Sequence, residues 1–126
     1  MIVGIGMDMV EIDRMRKLLD RKGDRALARL FTSAERTYAE THPEPARQLA
    51  ARVAAKEAAY KALSGNDLAR TIGWKELEVV SRKGHAPMLL LHGRAQSRAE
   101  ELGVSRVHLS ITHTERTAAA YVIAER

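Results

Sequence analysis

The sequence predicts an α+β fold, a mainly antiparallel sheet packed with helices, and three observations carry that prediction. The chain opens on a run with two-residue apolar alternation. Its middle holds an alanine-rich stretch from Leu49 to Gly65. Its last third alternates again, as two strand pairs separated by one helical segment. The order strand, several helices, hairpin, helix, hairpin lacks the strict β–α repetition of a parallel sheet.

Ile2 to Met9 reads as the first strand. Val3, Ile5 and Met7 share one face, and Gly4, Gly6 and Asp8 share the other. A face with two glycines leaves room for a close approach and ends in a carboxylate. Taken alone, Asp8 reads equally well as a strand terminator. Gly4-Ile5-Gly6 is not a dinucleotide fingerprint, because the third glycine is missing. From Glu11 to Lys22 the spacing predicts a helix with Ile12, Met15, Leu18 and Leu19 toward the core. Arg14, Lys17 and Arg21 fall on roughly the opposite face, with Leu18 at the border. Leu27 to Phe31 is apolar on one side. Thr32-Ser33-Ala34-Glu35 has capping-box spacing for a helix running to about Glu40.

The central helix is expected from about Ala46 to Leu63. Seven of the residues from Leu49 to Gly65 are alanines, which lose no side-chain entropy on becoming helical. Pro43 and Pro45 precede the run and Gly65 follows it, the usual asymmetry of helix ends. On this stem of methyl groups sit Arg52, Lys56, Glu57 and Lys61. At 100° per residue Glu57 and Lys61 share a face, with Lys56 a quarter-turn away. The plain reading is a solvated ion pair worth roughly 0.2–0.5 kcal/mol. The flanking alanines also permit partial burial of the cluster.

After a polar connection, in which Asn66 to Ala69 can form a short turn of helix, the pattern changes. Leu77, Val79 and Ser81 alternate with Glu76, Glu78 and Val80. Arg82 to Pro87 reads as a turn, and Met88 to Leu91 as a second strand. Gly93 to Leu102 is helical, closed by Gly103. Val107, Leu109 and Ile111 alternate with His108, Ser110 and Thr112. Thr114 to Arg116 then turns the chain into a last strand from Thr117 to Ala124.

With 126 residues, 45% hydrophobic and 29% charged, residues 1–126 are read as a single globular domain. Its N-terminus, apolar and then acidic, is not ordered like a signal peptide, and no apolar run reaches membrane length. The absence of cysteine excludes disulfides and thiolate metal sites and fits a cytoplasmic location. The balance of 21 Lys and Arg against 16 Asp and Glu, a net charge of +5, favours an anionic partner. The histidines at 42, 85, 92, 108 and 113 show no zinc-site spacing. His113, where a strand end meets a turn, is by itself read as structural. Asp8 and Glu57 lie beside glycine or alanine, and lysines accompany the second. Magnesium typically takes one or two protein carboxylates and fills its remaining positions with water and phosphate oxygens. No P-loop is present. These residues therefore suggest magnesium-dependent phosphoryl-type transfer.

Gly4-Ile5-Gly6-Met7-Asp8-Met9-Val10-Glu11-Ile12 through Arg14, Phe31 with Glu35, and Ala51-Arg52-Val53-Ala54-Ala55-Lys56-Glu57-Ala58-Ala59 with Lys61-Ala62 resemble holo-acyl-carrier-protein synthase, the small bacterial type of 4′-phosphopantetheinyl transferase. Pro87, Gly93, the ending Val107 to Thr114, Ala118 to Ala120, and Val122-Ile123 extend the resemblance over almost the whole chain. It implies a 4′-phosphopantetheinyl transferase-like fold. The implied reaction moves the 4′-phosphopantetheine arm of coenzyme A to a serine of apo acyl carrier protein, in fatty acid biosynthesis. Adenosine 3′,5′-bisphosphate is released, with Mg2+ required. By position, Asp8 and Glu57 would ligate the metal. Lys61 and Lys56 would steady the diphosphate, and His113 would lie near the coenzyme. The implied catalytic set is Glu57, Lys61 and His113. The general base stays open between Glu57, a water on the metal and a carboxylate of the partner. Arg14, Leu18 and Arg21 would dock the acidic carrier, with Lys17 adding to the attraction. A homotrimer with sites between subunits is also implied, with Tyr121 and Ile123, or Ala118 to Ala120, as candidates for burial there.

The rival is a basic nucleic-acid module using Arg14, Arg16, Lys17 and Arg21. It leaves Asp8 and Glu57 without a role, and five scattered aromatics make a poor stacking platform. Neither nucleic acid nor membrane is expected as a partner.

Overall fold

A computed structural model describes residues 1–126 apart from Lys22. The elements are β1 (Ile2–Glu11), α1 (Ile12–Asp20), α2 (Asp24–Leu30), α3 (Ser33–Glu40), α4 (Pro45–Ala62), α5 (Asp67–Arg70), β2 (Leu77–Val80), β3 (Met88–Leu91), α6 (Gly93–Leu102), β4 (Arg106–His113) and β5 (Thr117–Glu125). A 3-10 turn at Trp74–Glu76 leads into β2. All three strand pairings are antiparallel, in a sheet of order β1-β5-β4 and a separate β2-β3 hairpin. The α+β expectation is therefore met. β1 runs two residues past its predicted end at Met9, so Asp8 sits inside the strand rather than closing it. The predicted end of the first helix at Lys22 lies outside the described residues.

α4 is the axis of the fold, with 12 of its 18 residues buried. Its first half packs with Ile12 and Met15 of α1, Leu27, Phe31 and Ala39. Its second half packs with Leu77 and Val79 of β2, Ala95 and Ala99 of α6, and Ala120 and Val122 of β5. The alanines thus do more than favour the helix. They give it a thin surface on which a sheet can lie.

β1 exploits that thinness. A Cβ added at Gly4 would stand 1.9 Å from the Ala62 carbonyl oxygen, and one at Gly6 would stand 1.7 Å from that of Ala58. The room left by the glycine face is therefore filled by the backbone of α4. Asp8, on the same face two residues on, is carried to the side chains that α4 presents there. Gly6→Ala is expected to cost about 2–3 kcal/mol, because rigid backbone rather than a rotatable side chain must yield. Chemical denaturation measures this, and a loss below about 0.5 kcal/mol would mean that β1 can lift off α4 freely.

The opposite face of β1 and β5 is open and apolar. Ile5, Met7 and Met9 are 59%, 43% and 60% exposed, and Tyr121 is 51% exposed. Ala118 and Ala120 instead face the core, which removes them from the residues available to a neighbouring subunit.

Candidate active site

Asp8 and Glu57 meet. β1 brings the Asp8 carboxylate against the α4 turn that carries Glu57 and Lys61. The Lys61 ammonium donates to Asp8 Oδ1 at 3.1 Å and to the Met7 carbonyl at 2.9 Å. Asp8 is mostly buried, at 16% exposure, whereas Lys61 stays open to solvent at 54%. The second oxygen, Asp8 Oδ2, is buried and has no hydrogen-bond donor. Two ionised carboxylates cannot bond to each other, but a proton shared between them can link them. That shared proton is the first cause holding the Glu57 carboxyl up at about 7. Burial and the Asp8 charge push the same way, and Lys61 and Arg14 oppose them.

This raised value sets the stability of the metal-free protein against pH. The folded state holds the Glu57 proton more tightly than the unfolded chain, whose carboxyl titrates near 4.5. The contribution is therefore fully present below about 4.5 and is lost as pH rises through about 7. Glu44, Glu76, Glu78, Glu101 and Glu125 are shifted the other way, so their contributions are lost only as pH falls below the ordinary carboxylate range. Between pH 5 and 8, metal-free wild type is expected to lose melting temperature relative to Glu57→Gln. Parallel melting profiles for the two proteins would show that the carboxylates do not share a proton.

Two clefts flank the pair. A cleft of about 400 Å³ is walled by Tyr60 and Lys61 of α4 and, opposite them, by Arg70, Ile72, Trp74 and Leu77. A second, of about 500 Å³, runs from Asp8 and Val10 to Arg14, Lys17, Leu18 and Arg21 of α1. Glu57 and Trp74 line both. The acid pair thus lies where a mostly apolar cleft opens beside the basic face of α1. Arg14, Lys17 and Arg21 are exposed and Leu18 is half-buried, as the helical spacing predicts. Arg16, counted with the basic face in the nucleic-acid reading, is taken up by a bond to Glu44.

Two expected residues are placed differently. Lys56 borders the first cleft but turns its ammonium into the interior. Its side chain is fully buried and all three N–H groups are used, on Glu35 Oε1 at 2.8 Å, the Trp74 carbonyl at 2.9 Å and the Leu77 carbonyl at 2.8 Å. The quarter-turn that separates it from Glu57 points its ammonium inward, so Lys56 borders the first cleft with its N–H groups already engaged by protein acceptors. His113 ends β4, with β5 between it and the strand that carries Asp8. It lines neither cleft and stands near Glu44, whose carboxyl is held low chiefly by its bond from Arg16. Within one chain His113 therefore does not join the acid pair.

Sequence reasoning missed Trp74 and the second role of Glu35. The capping box forms as predicted, with the Thr32 amide on Glu35 Oε1 at 2.9 Å and the Glu35 amide on Thr32 Oγ1 at 3.1 Å. Glu35 is also buried and accepts from Lys56 and from the Val79 amide. The box gave Glu35 a sufficient local reason, which concealed the distant one.

The donor set suits a hard divalent cation. It offers carboxylate oxygens, one of them buried without a donor, and no third Asp, Glu or His completes a cage among the described residues. A magnesium-like ion keeps several positions for water and phosphate oxygens and fits such a half-built site.

Residues 4–124 match the family model described as the 4′-phosphopantetheinyl transferase superfamily. The chain is 48% identical over 125 residues to a holo-acyl-carrier-protein synthase of Solidesulfovibrio magneticus, covering 99% of each. Its fold superposes on the crystal structure of that synthase from Neisseria meningitidis with a TM-score of 0.85, at 30% identity and full coverage of both chains. It superposes on the Bacillus anthracis synthase, solved in complex with CoA (3′,5′-ADP), with a TM-score of 0.77, at 32% identity and covering 98% and 96% of the two chains. A chain alike over its whole length to these synthases belongs to the holo-acyl-carrier-protein synthases of the 4′-phosphopantetheinyl transferase superfamily.

Proposed function

We propose that the acid pair and its two clefts are the transferase site, contained in a single domain of residues 1–126. Coenzyme A occupies the cleft of Tyr60, Ile72, Trp74 and Leu77, and acyl carrier protein covers the cleft of Arg14, Leu18 and Arg21. The reaction is transfer of the phosphopantetheine arm from coenzyme A to a carrier serine. The serine oxygen forms a bond to the phosphorus bearing the pantetheine, and the bond from that phosphorus to the bridging oxygen breaks. Adenosine 3′,5′-bisphosphate leaves, and the serine proton passes to a base. The observation that carries the reading is the meeting of Asp8 and Glu57, with Lys61, between an apolar cleft and a basic helix.

Asp8 and Glu57 hold Mg2+, which when bound supplies positive charge against the diphosphate oxygens. Lys61, open to solvent on one side and anchored to Asp8 on the other, reaches a leaving phosphate and opposes its growing charge. Trp74 and Tyr60 shield the arm from water. Arg14 and Arg21 attract the acidic carrier, and Leu18 supplies the apolar contact between them. The exposed Ile5, Met7, Met9 and Tyr121 form the face that further copies cover in a homotrimer, with half-buried Ile123 on the same strand. A neighbour's His113 then reaches the site that its own chain cannot supply. The setting is cytoplasmic fatty acid biosynthesis, and no helix is long and apolar enough to cross a membrane among the described residues.

Incubation with apo carrier protein, coenzyme A and Mg2+ is expected to raise the carrier mass by one phosphopantetheine. No increase with any divalent ion would overturn the reading. Arg14→Glu with Arg21→Glu is expected to raise the carrier KM by at least about tenfold while leaving the coenzyme A KM within twofold. Equal losses for both substrates would show that α1 is not the docking surface.

A further inference from the structure

We infer that Lys56 is a positioning residue for the coenzyme cleft: with Glu35 it pins the Trp74–Leu77 turn to α4 and so sets the cleft's width. The inference rests on the assignment of coenzyme A to that cleft. Its two walls come from separate parts of the chain, Tyr60 and Lys61 from α4 and Ile72 to Leu77 from the segment before β2. Glu76 ties that segment to the start of α6, accepting from the Arg94 amide at 2.8 Å and from Arg94 Nε at 3.1 Å. Those bonds fix the turn against α6, not against α4. Among the described residues, the hydrogen bonds from α4 to Trp74–Leu77 are the two from the Lys56 ammonium, to the Trp74 and Leu77 carbonyls. Glu35 takes the third N–H and, through its other oxygen, the Val79 amide at 2.9 Å. One buried ammonium therefore holds both ends of the turn, and one buried carboxylate holds that ammonium and the strand beyond. Lys56 borders the cleft but its side chain has no exposed surface, and Glu35 is equally buried, so the pair acts from within the wall. It acts by keeping Trp74 and Leu77 where an arm lying against Tyr60 meets them.

The test separates positioning from mere stability by measuring each substrate on folded protein. Lys56→Met with Glu35→Leu removes both charges together and fills their space with apolar atoms. In this variant the coenzyme A KM, and the Kd measured by calorimetry with Mg2+, are expected to rise about tenfold, since a wall displaced by a fraction of an ångström spoils the fit. The carrier KM is expected to stay within twofold. Should the double variant not fold, Glu35→Gln is read instead, with an expected rise of about threefold in the coenzyme A KM alone. Tyr60→Glu, on the opposite wall, reports on the cleft itself by setting a negative charge against an anionic ligand. If Tyr60→Glu weakens coenzyme A binding and the pin variants do not, the positioning role is overturned and the cleft assignment stands. If none of the variants alters coenzyme A binding, the assignment fails and the inference fails with it.

Discussion

Glu57→Gln is expected to lower phosphopantetheine transfer by about a thousandfold, the scale on which removing a charged group that stabilises a transition state acts. Glutamine has the shape of glutamate, so α4 and both clefts keep their form. It cannot carry the negative charge that, with Asp8, makes the pair attractive to a divalent cation. It also offers an amide N–H to the Asp8 carboxylate, so no shared proton is needed between the two side chains. The variant should therefore be as stable as wild type or more so, and inactivity cannot be ascribed to unfolding. Mg2+ is expected to raise the melting temperature of the wild type and not that of Glu57→Gln. Asp8→Asn should act alike, and the double variant should be little worse than either single one, because groups that work as a unit are not additive. Activity of Glu57→Gln within tenfold of wild type would remove the pair from the chemistry.

Lys56→Met is expected to destabilise the protein by about 3–5 kcal/mol, the usual result of deleting one member of a buried ion pair. The expected fall in melting temperature is roughly 10–20 °C for a chain of this size. The cost arises from what is left behind. The Glu35 carboxylate stays buried with its cation gone, and the Trp74 and Leu77 carbonyls lose the bond from the ammonium. Burial already holds the Lys56 ammonium below its usual pKa, against the pull of Glu35, so its charge persists there because the carboxylate does. Removing Glu35 together with Lys56 should recover part of the loss, since an apolar pair needs no compensation. A change below about 1 kcal/mol in the single variant would show that water replaces the ammonium and that the pair is not a structural pin.

Lys56 and Glu57 also show how far linear reading reaches. Both are charged residues on an alanine-rich helix, and spacing alone gives them almost the same description. Both border the first cleft, but the Lys56 ammonium ends in the interior, because α3, the Trp74 turn and β2 close over that side of α4. The sequence spacing from Lys56 to Glu35 carries no period that could announce their contact. Asp8 was legible because a strand's alternation put it on the glycine face. That this face would receive α4 itself depended on how closely two backbones can approach.

From the sequence alone followed what is local or compositional: the α+β class, the limits of most helices and strands, the capping box, the basic face of α1 and the family resemblance. These rest on interactions within a few residues, and residue order records such interactions directly. Tertiary structure decided which charges are sites and which are supports. It drew Asp8 and Glu57 into contact, took Lys56 inward, set Trp74 between two clefts and kept His113 away from the acid pair of its own chain. The physical reason is that a side chain's charge, solvation and reach are fixed by the elements packed around it, and packing joins residues that sequence keeps apart.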